Sequence, residues 1–211
     1  RQQSSAASDV YKRQAIDRAA PIPGGIAIAS QSGAYGSHIY MVSHQRGLGI
    51  NYWITTGNEA DISVSEAIQF LAEDEKVHTI MAYVESVKDG KMFTKALDTA
   101  RQEKKPVILM KVGRSDVGAA AANSHTASLA GEDAIYSEVI RAHGAYRVRS
   151  TEEMLDVAYA TKPRIYPSGK NLGIVTISGG GGVLMADAAY DEGLNVKPMP
   201  KEAQQNLKKI V

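Results

Sequence analysis

Residues 123–131 read NSHTASLAG and set an imidazole among small and polar neighbours. Histidine is the side chain whose ordinary pKa lies near neutrality, so an accessible imidazole can act as a nucleophile or proton carrier. A histidine on an apolar stripe is ordinarily a core residue. Asn123, Ser124, Thr126, Ala127 and Ser128 offer His125 no such core, and it reads as displayed. Two glycine-rich stretches could bind an anion for this histidine to handle. ASQSGAYG (29–36) supplies the hydroxyls of Ser30 and Ser32 with Gly33 and Gly36, and ISGGGGVLMAD (177–187) supplies Ser178 with Gly179, Gly180, Gly181 and Gly182. At a strand-to-helix turn, free backbone N–H groups and the helix dipole favour phosphate.

Either turn alone is equally well explained by the backbone freedom of glycine. Two of them in one chain with a displayed histidine point to phosphate. Neither matches the nucleotide-binding loop that ends in Gly-Lys-Ser/Thr, because the Gly169-Lys170 pair is followed by Asn171. The dinucleotide fingerprint also fails, since no ribose-binding acid stands at the required distance beyond the glycines. The expected ligand is therefore a phosphate group rather than a whole nucleotide. Of the other histidines, His38 and His44 share one predicted helix, His78 precedes a strand and His143 ends a helix. None has the three- or four-residue helical spacing of a metal pair, and no metal site is expected.

The elements that must hold these groups are written in alternating patterns. Apolar runs rich in β-branched residues, at 25–30, 51–56, 79–84, 106–112 and 145–150, alternate with stretches whose apolar residues recur every three to four positions. Continuous apolarity suits strands covered on both faces, so the pattern predicts a parallel sheet between two helical layers. The last helix of this set, 151–162, is expected to be capped by Thr151 ahead of Glu152 and Glu153. KPRIYPSGKN breaks the periodicity as a linker. A second unit then opens with a predicted strand at 171–178, the four glycines, a helix at 183–193, a short strand at 195–200 and a further helical stretch.

Composition narrows the function classes. Lys+Arg 24 against Asp+Glu 23, with no basic stripe interleaved with aromatics, argues against nucleic acid as partner. Zero cysteines exclude disulfides and thiolate metal sites, which suits a cytoplasmic location. No apolar run approaches the roughly 20 residues that span a bilayer, so no membrane association is expected. The polar, aperiodic RQQSSAASDVYKRQ resembles translated adaptor sequence, and residues 1–20 are read as a non-native or disordered leader.

The motifs SQSGAYG, TTGNEADIS, YVESV, KVGRSDVGAAAANSHTASLAG and ISGGGGVLMAD, in this order across residues 24–211, resemble the α portion of the NDP-forming acyl-CoA synthetases. That family includes ADP-forming acetate–CoA ligase and is related to succinyl-CoA synthetase. The resemblance implies a flavodoxin-like, doubly wound α/β domain at 21–162, a linker at 163–171, and a truncated second flavodoxin-like unit at 172–211. It implies that acyl-CoA and phosphate give an acyl phosphate, whose phosphoryl group His125 accepts and passes to ADP on an ATP-grasp domain.

Glu85 matches the family's carboxylate partner of that histidine. Ser30, Ser32 and Gly33, with Ser178, Gly179, Gly180 and Gly181, match the paired helix starts that hold the phosphoryl group. Asn58 and Asp61 would shape the acyl site, and Gly113, Arg114 and Ser115 would orient the loop. Ala127 departs from the glycine that many relatives carry. Coenzyme A and ADP/ATP with Mg2+ are the implied substrates, with a small carboxylic acid. They would be bound largely by CoA-binding and ATP-grasp domains, in the same chain or a β subunit, within an oligomer. The alternatives are a regulatory module of a protein lysine acetyltransferase, in which the histidine loop is often altered, and a flavodoxin-like binding module without chemistry.

Overall fold

Five of the apolar runs become strands of one parallel sheet: β1 (Ile26–Ser30), β2 (Ile50–Thr55), β3 (Thr79–Val84), β4 (Val107–Lys111) and β5 (Tyr146–Val148). The computed structural model describes residues 22–115, 117–118 and 133–209. The strands lie in the order β2-β1-β3-β4-β5, the flavodoxin-like arrangement. The helices joining them are α1 (Gly33–Gln45), α2 (Val64–Glu73), α3 (Gly90–Gln102), α4 (Asp133–Ala142) and α5 (Thr151–Thr161).

Side-chain alternation along each strand divides the core into two layers. Ala27, Ala29, Ile80, Ala82, Val107 and Leu109 meet α2, α3 and α4 through Ile68, Leu71, Phe93, Leu97 and Ile140. Ile26, Ile28, Met81, Ile108 and Met110 turn the other way, to Ile39 of α1 and to Met154, Leu155 and Ala158 of α5. Fully burying one such aliphatic or aromatic side chain stabilises a fold by roughly 1.5–3 kcal/mol before the entropy of ordering is subtracted.

Helix starts follow side-chain caps. Ser63 and Glu66 form a reciprocal capping box on α2, and the Asp89 carboxylate accepts the N–H groups of Lys91 and Met92 at α3. The expectation for α5 is corrected by one residue. Its cap is Ser150, whose extended backbone (φ −141°, ψ 164°) lets the hydroxyl accept the Glu153 N–H at 3.1 Å. Thr151 is the first helical residue, and its hydroxyl instead meets the Tyr35 hydroxyl at 2.5 Å.

The chain parts into two units between Arg164 and Ile165. The second holds β6 (Asn171–Leu172), α6 (Gly179–Asp191), β7 (Asn195–Val196) and α7 (Lys201–Leu207). Its strands are shorter than the sequence suggests. The parallel ladder has the pairs Asn171↔Asn195 and Leu172↔Val196, and Val175 and Ile177 stand exposed beyond it. Apolar composition alone does not make a strand where no neighbour completes the ladder. The four glycines are not a loop ahead of the helix but its first turn, because Ser178 caps the helix at that point. No helix among the described residues is long and apolar enough to cross a membrane.

Candidate functional site

Strand order places the site. β1 lies between β2 and β3, and the helices that follow β1 and β3 pack on opposite faces of the sheet, so their connecting loops diverge and leave a crevice at the carboxyl ends of these strands. Ser30 pairs with Tyr83 in the parallel register, which brings the Gln31–Gly33 turn beside Glu85.

In the first turn, the Ser32 N–H donates to Ser30 Oγ at 3.2 Å, and Ser30 Oγ donates to the Ser32 carbonyl at 2.7 Å. Ser32 then caps α1 by accepting the Tyr35 N–H at 3.2 Å. This leaves the Gly33 and Ala34 N–H groups at the positive end of α1 without an acceptor among the described residues. They are the donors a phosphate oxygen would use. Gly36 has another explanation. A Cβ there would lie 2.6 Å from Trp53 Nε1 and 3.1 Å from Ser30 Cβ, so this glycine lets helix and sheet approach and does not serve the anion.

Gln31 is a residue that the sequence reading passed over. It is buried, and its amide Nε2 donates to Glu59 Oε1 at 2.7 Å and to the Ser86 carbonyl at 2.8 Å. Its Oε1 accepts the N–H groups of Glu85 at 2.5 Å and Ser86 at 3.1 Å. One side chain thus fixes the backbone that presents Glu85. The signal available was an uncharged polar residue between two serines at the exit of a fully apolar strand. Glu59 is held in turn by the Val64 N–H at 2.7 Å, and its φ of 54° is a left-handed conformation uncommon outside glycine. Lys88 Nζ donates to the carbonyls of Asn58 and Glu59 at 2.9 and 3.1 Å, tying the same loop to the exit of β3.

Glu85 is 8% exposed, and among the described residues no hydrogen bond reaches its carboxylate. A buried carboxylate ordinarily has a partner, so Glu85 is available to a donor brought from elsewhere. The Ser86 hydroxyl beside it is also buried without a partner among the described residues. Tyr83 remains a neutral phenol, pushed up to about 12 by burial first and then by the charge of Glu85 and by Tyr35.

The exit of β4 completes this edge. Lys111 Nζ donates to the Val112 carbonyl and lies 4.5 Å from the centre of the Tyr136 ring. Burial pushes its ammonium below the usual lysine range, Asp133 and Glu85 oppose that fall, and Arg147 adds to it. Gly113 leaves the strand with φ 74°, and half-exposed Arg114 lies 3.7 Å from Asp133. Asn58 is exposed, as is Asp61, and neither side chain is drawn into the Gln31 network. His125 lies outside the described residues.

The turn of the second unit repeats the first. Thr176 Oγ1 donates to the Ser178 carbonyl at 3.2 Å and accepts its N–H at 3.0 Å, while Ser178 Oγ accepts the Gly181 N–H at 3.1 Å. The cap dihedrals agree, with φ −106°, ψ 121° at Ser32 and φ −106°, ψ 115° at Ser178. The N–H groups of Gly179 and Gly180 are left as those of Gly33 and Ala34 are. Each turn can therefore bind an anion, and Glu85 can accept a proton-bearing nitrogen. Among the described residues no group of three or more His, Asp or Glu side chains could hold a metal ion.

The chain is similar to several known proteins. The chain is 40% identical over 177 residues to the acetate–CoA ligase [ADP-forming] I subunit alpha of Pyrococcus furiosus, a match covering 83% of this chain and 38% of that one. It is 36% identical over 193 residues to the acetate–CoA ligase [ADP-forming] of Methanocaldococcus jannaschii, covering 90% and 27%. Among solved structures, the dinucleotide-forming acetyl-coenzyme A synthetase 1 of Ca. Korarchaeum cryptofilum, in complex with phosphate and ADP, superposes with a TM-score of 0.82 at 33% identity, over 91% of this chain and 42% of that one. The chain thus spans less than half the length of these relatives. Residues 23–161 match the family model described as the succinyl-CoA ligase like flavodoxin domain, and with the β2-β1-β3-β4-β5 sheet and the anion turn at its switch point, the chain belongs to that family.

Proposed function

We propose that this chain is the phosphotransfer part of an ADP-forming acyl-CoA ligase acting on a small carboxylic acid, with His125 as the phosphoryl carrier. The observation that carries the reading is Glu85: a buried carboxylate without a hydrogen-bond donor among the described residues, beside an anion-capping turn in a chain 40% identical to an ADP-forming acetate–CoA ligase subunit. The working parts are a domain at 21–162 and a second domain that opens with β6 at Asn171, joined by the linker between them. Coenzyme A and the nucleotide, accompanied by Mg2+, are substrates bound largely by CoA-binding and ATP-grasp parts, in the same chain or in a partner subunit of an oligomer.

Phosphate attacks the thioester carbonyl of acyl-CoA and the C–S bond breaks, giving an acyl phosphate and the CoA thiolate. A neutral imidazole nitrogen of His125 then attacks phosphorus, the N–P bond forms, and the carboxylate leaves with the electron pair of the broken P–O bond. Glu85 accepts a hydrogen bond from the other ring N–H, which fixes the tautomer and stabilises the cationic ring. The turn at Ser30, Ser32 and Gly33 offers backbone N–H donors to the phosphoryl oxygens; within the second unit the turn at Ser178, Gly179, Gly180 and Gly181 carries donors of the same kind. Finally a terminal oxygen of ADP attacks phosphorus, the N–P bond breaks, and His125 regains its electron pair as ATP forms. Arg114 orients the segment that carries His125, and Asn58 borders the acyl group.

In the complete enzyme, labelled ATP with Mg2+ should leave an acid-labile, base-stable label on His125. A His125→Ala variant should carry no label and have no turnover. Wild-type turnover in His125→Ala would overturn the reading.

A further inference from the structure

Arg147 belongs to β5, the edge strand next to β4, yet its side chain is only 15% exposed and its bonds converge on two distant points of the chain. Nη2 donates to the Lys111 carbonyl at 3.4 Å and to Asp133 Oδ1. Nη1 donates to the Asp133 carbonyl and to Asp133 Oδ2, both at 3.3 Å, and to Ser137 Oγ. Lys111 is the last residue of β4, and Asp133 is the first of α4. Between them lie residues 112–132, the segment that contains His125. Fully extended, a segment of this length would reach roughly 70 Å, so nothing in its covalent geometry brings its ends together. A single guanidinium bonds both of them, and Arg114 adds a second cation beside Asp133.

We propose that Arg147 is a positioning residue for phosphoryl transfer: it ties the outgoing and returning ends of segment 112–132 to one point and so fixes the origin from which His125 is presented. The proposal rests on the phosphohistidine reading above. The chemistry of the side chain suits the task. A planar guanidinium has five N–H donors in a fixed fork and can serve a backbone carbonyl, a carboxylate and a hydroxyl together. An ammonium of lysine has three donors at one point and cannot hold acceptors so spread. The tie also acts on the near side of the site, because the carbonyl it holds belongs to Lys111, whose ammonium senses both Asp133 and Glu85. A carrier that must place a nitrogen within bonding reach of phosphorus loses rate steeply with misplacement, about 100-fold for 1 Å.

The test is rapid-quench phosphorylation of the complete enzyme by labelled ATP with Mg2+, comparing wild type with Arg147→Met, Arg147→Lys and Asp133→Asn. Two readouts separate positioning from folding: the amplitude counts competent sites, and the single-turnover rate constant reports how well each site works. Arg147→Met should keep label on His125 while its rate constant falls roughly 10- to 100-fold, with Arg147→Lys and Asp133→Asn between it and wild type. The KM values for CoA and acid should stay within about twofold, because positioning of the carrier is felt in kcat. Rate constants within about twofold of wild type in Arg147→Met and Asp133→Asn, whatever their amplitudes, would overturn the proposal. If Arg147→Met does not fold, Arg147→Lys and Asp133→Asn decide by the same criterion. Label absent from His125 in the wild type would refute the phosphotransfer reading itself, and this proposal with it.

Discussion

Replacing Gln31 by leucine isolates the network that presents Glu85. The change keeps the volume of the side chain and deletes its four hydrogen bonds, two from Nε2 at 2.7 and 2.8 Å and two to Oε1 at 2.5 and 3.1 Å. It strands the N–H groups of Glu85 and Ser86 and the carbonyl of Ser86 in a place where Gln31, Glu85 and Ser86 are all buried. A net hydrogen bond contributes about 0.5–1.5 kcal/mol, and each stranded buried group costs about 1–3 kcal/mol. Bonds within one network are not additive, so about 2–4 kcal/mol is the expected loss rather than the full sum. For a domain of this size that corresponds to a melting midpoint lower by roughly 4–16 °C. Gln31→Glu supplies a control. It keeps an acceptor for the two amides but sets a second carboxylate against Glu59, so its deficit should narrow as pH falls through the carboxylate range and the new group protonates. Equilibrium denaturation of the three proteins gives the comparison. A Gln31→Leu loss below about 0.5 kcal/mol, the ordinary range of a surface substitution, would show that the Gln31 amide does not hold this edge together.

Two further outcomes are expected. Glu85→Gln, nearly isosteric, should lower turnover of the complete enzyme by roughly 100-fold or more, by analogy with removal of a tautomer-fixing carboxylate; unchanged kcat would remove Glu85 from the mechanism. Tyr83 holds its proton up to about 12 in the folded chain against 10.0 unperturbed. Its contribution is therefore complete below pH 10 and is lost as pH rises from 10 to about 12, where the unfolded chain has already released the proton. Tyr83→Phe should flatten the alkaline fall in stability without abolishing it, since Tyr52 and Tyr136 are also raised; equal slopes for the two proteins in denaturation between pH 9 and 11.5 would sink the argument.

Much of the first unit is legible along the chain because its causes are local. A strand buried on both faces is apolar along its length, so TIMAYV announces β3 residue for residue. The histidine motif and the two glycine turns are likewise local patterns, and with the order of the motifs they suffice for the family. Local patterns were a weaker guide where a neighbour decides the outcome. Ser150 rather than Thr151 caps α5, with the Thr151 hydroxyl occupied by Tyr35, 116 positions away. The run at 171–178 forms a ladder over only two residues, because strand formation needs a partner as much as a composition. The reach of two side chains was invisible in the sequence for the same reason: Gln31 bonds backbone 54 and 55 positions further along, and Arg147 reaches back 14 and 36 positions. Their glutamine and arginine identities say only that they can donate or accept. The sheet order, which lays β1 beside β3 and β4 beside β5, supplied the donors for Gln31 and acceptors for Arg147. By itself the sequence determined the family and named the residue types that the proposed phosphoryl transfer would use, since both reside in side-chain type and short-range spacing. Tertiary structure alone decided which distant groups Gln31 and Arg147 join, since a hydrogen bond between distant positions exists only once the strands between them have paired.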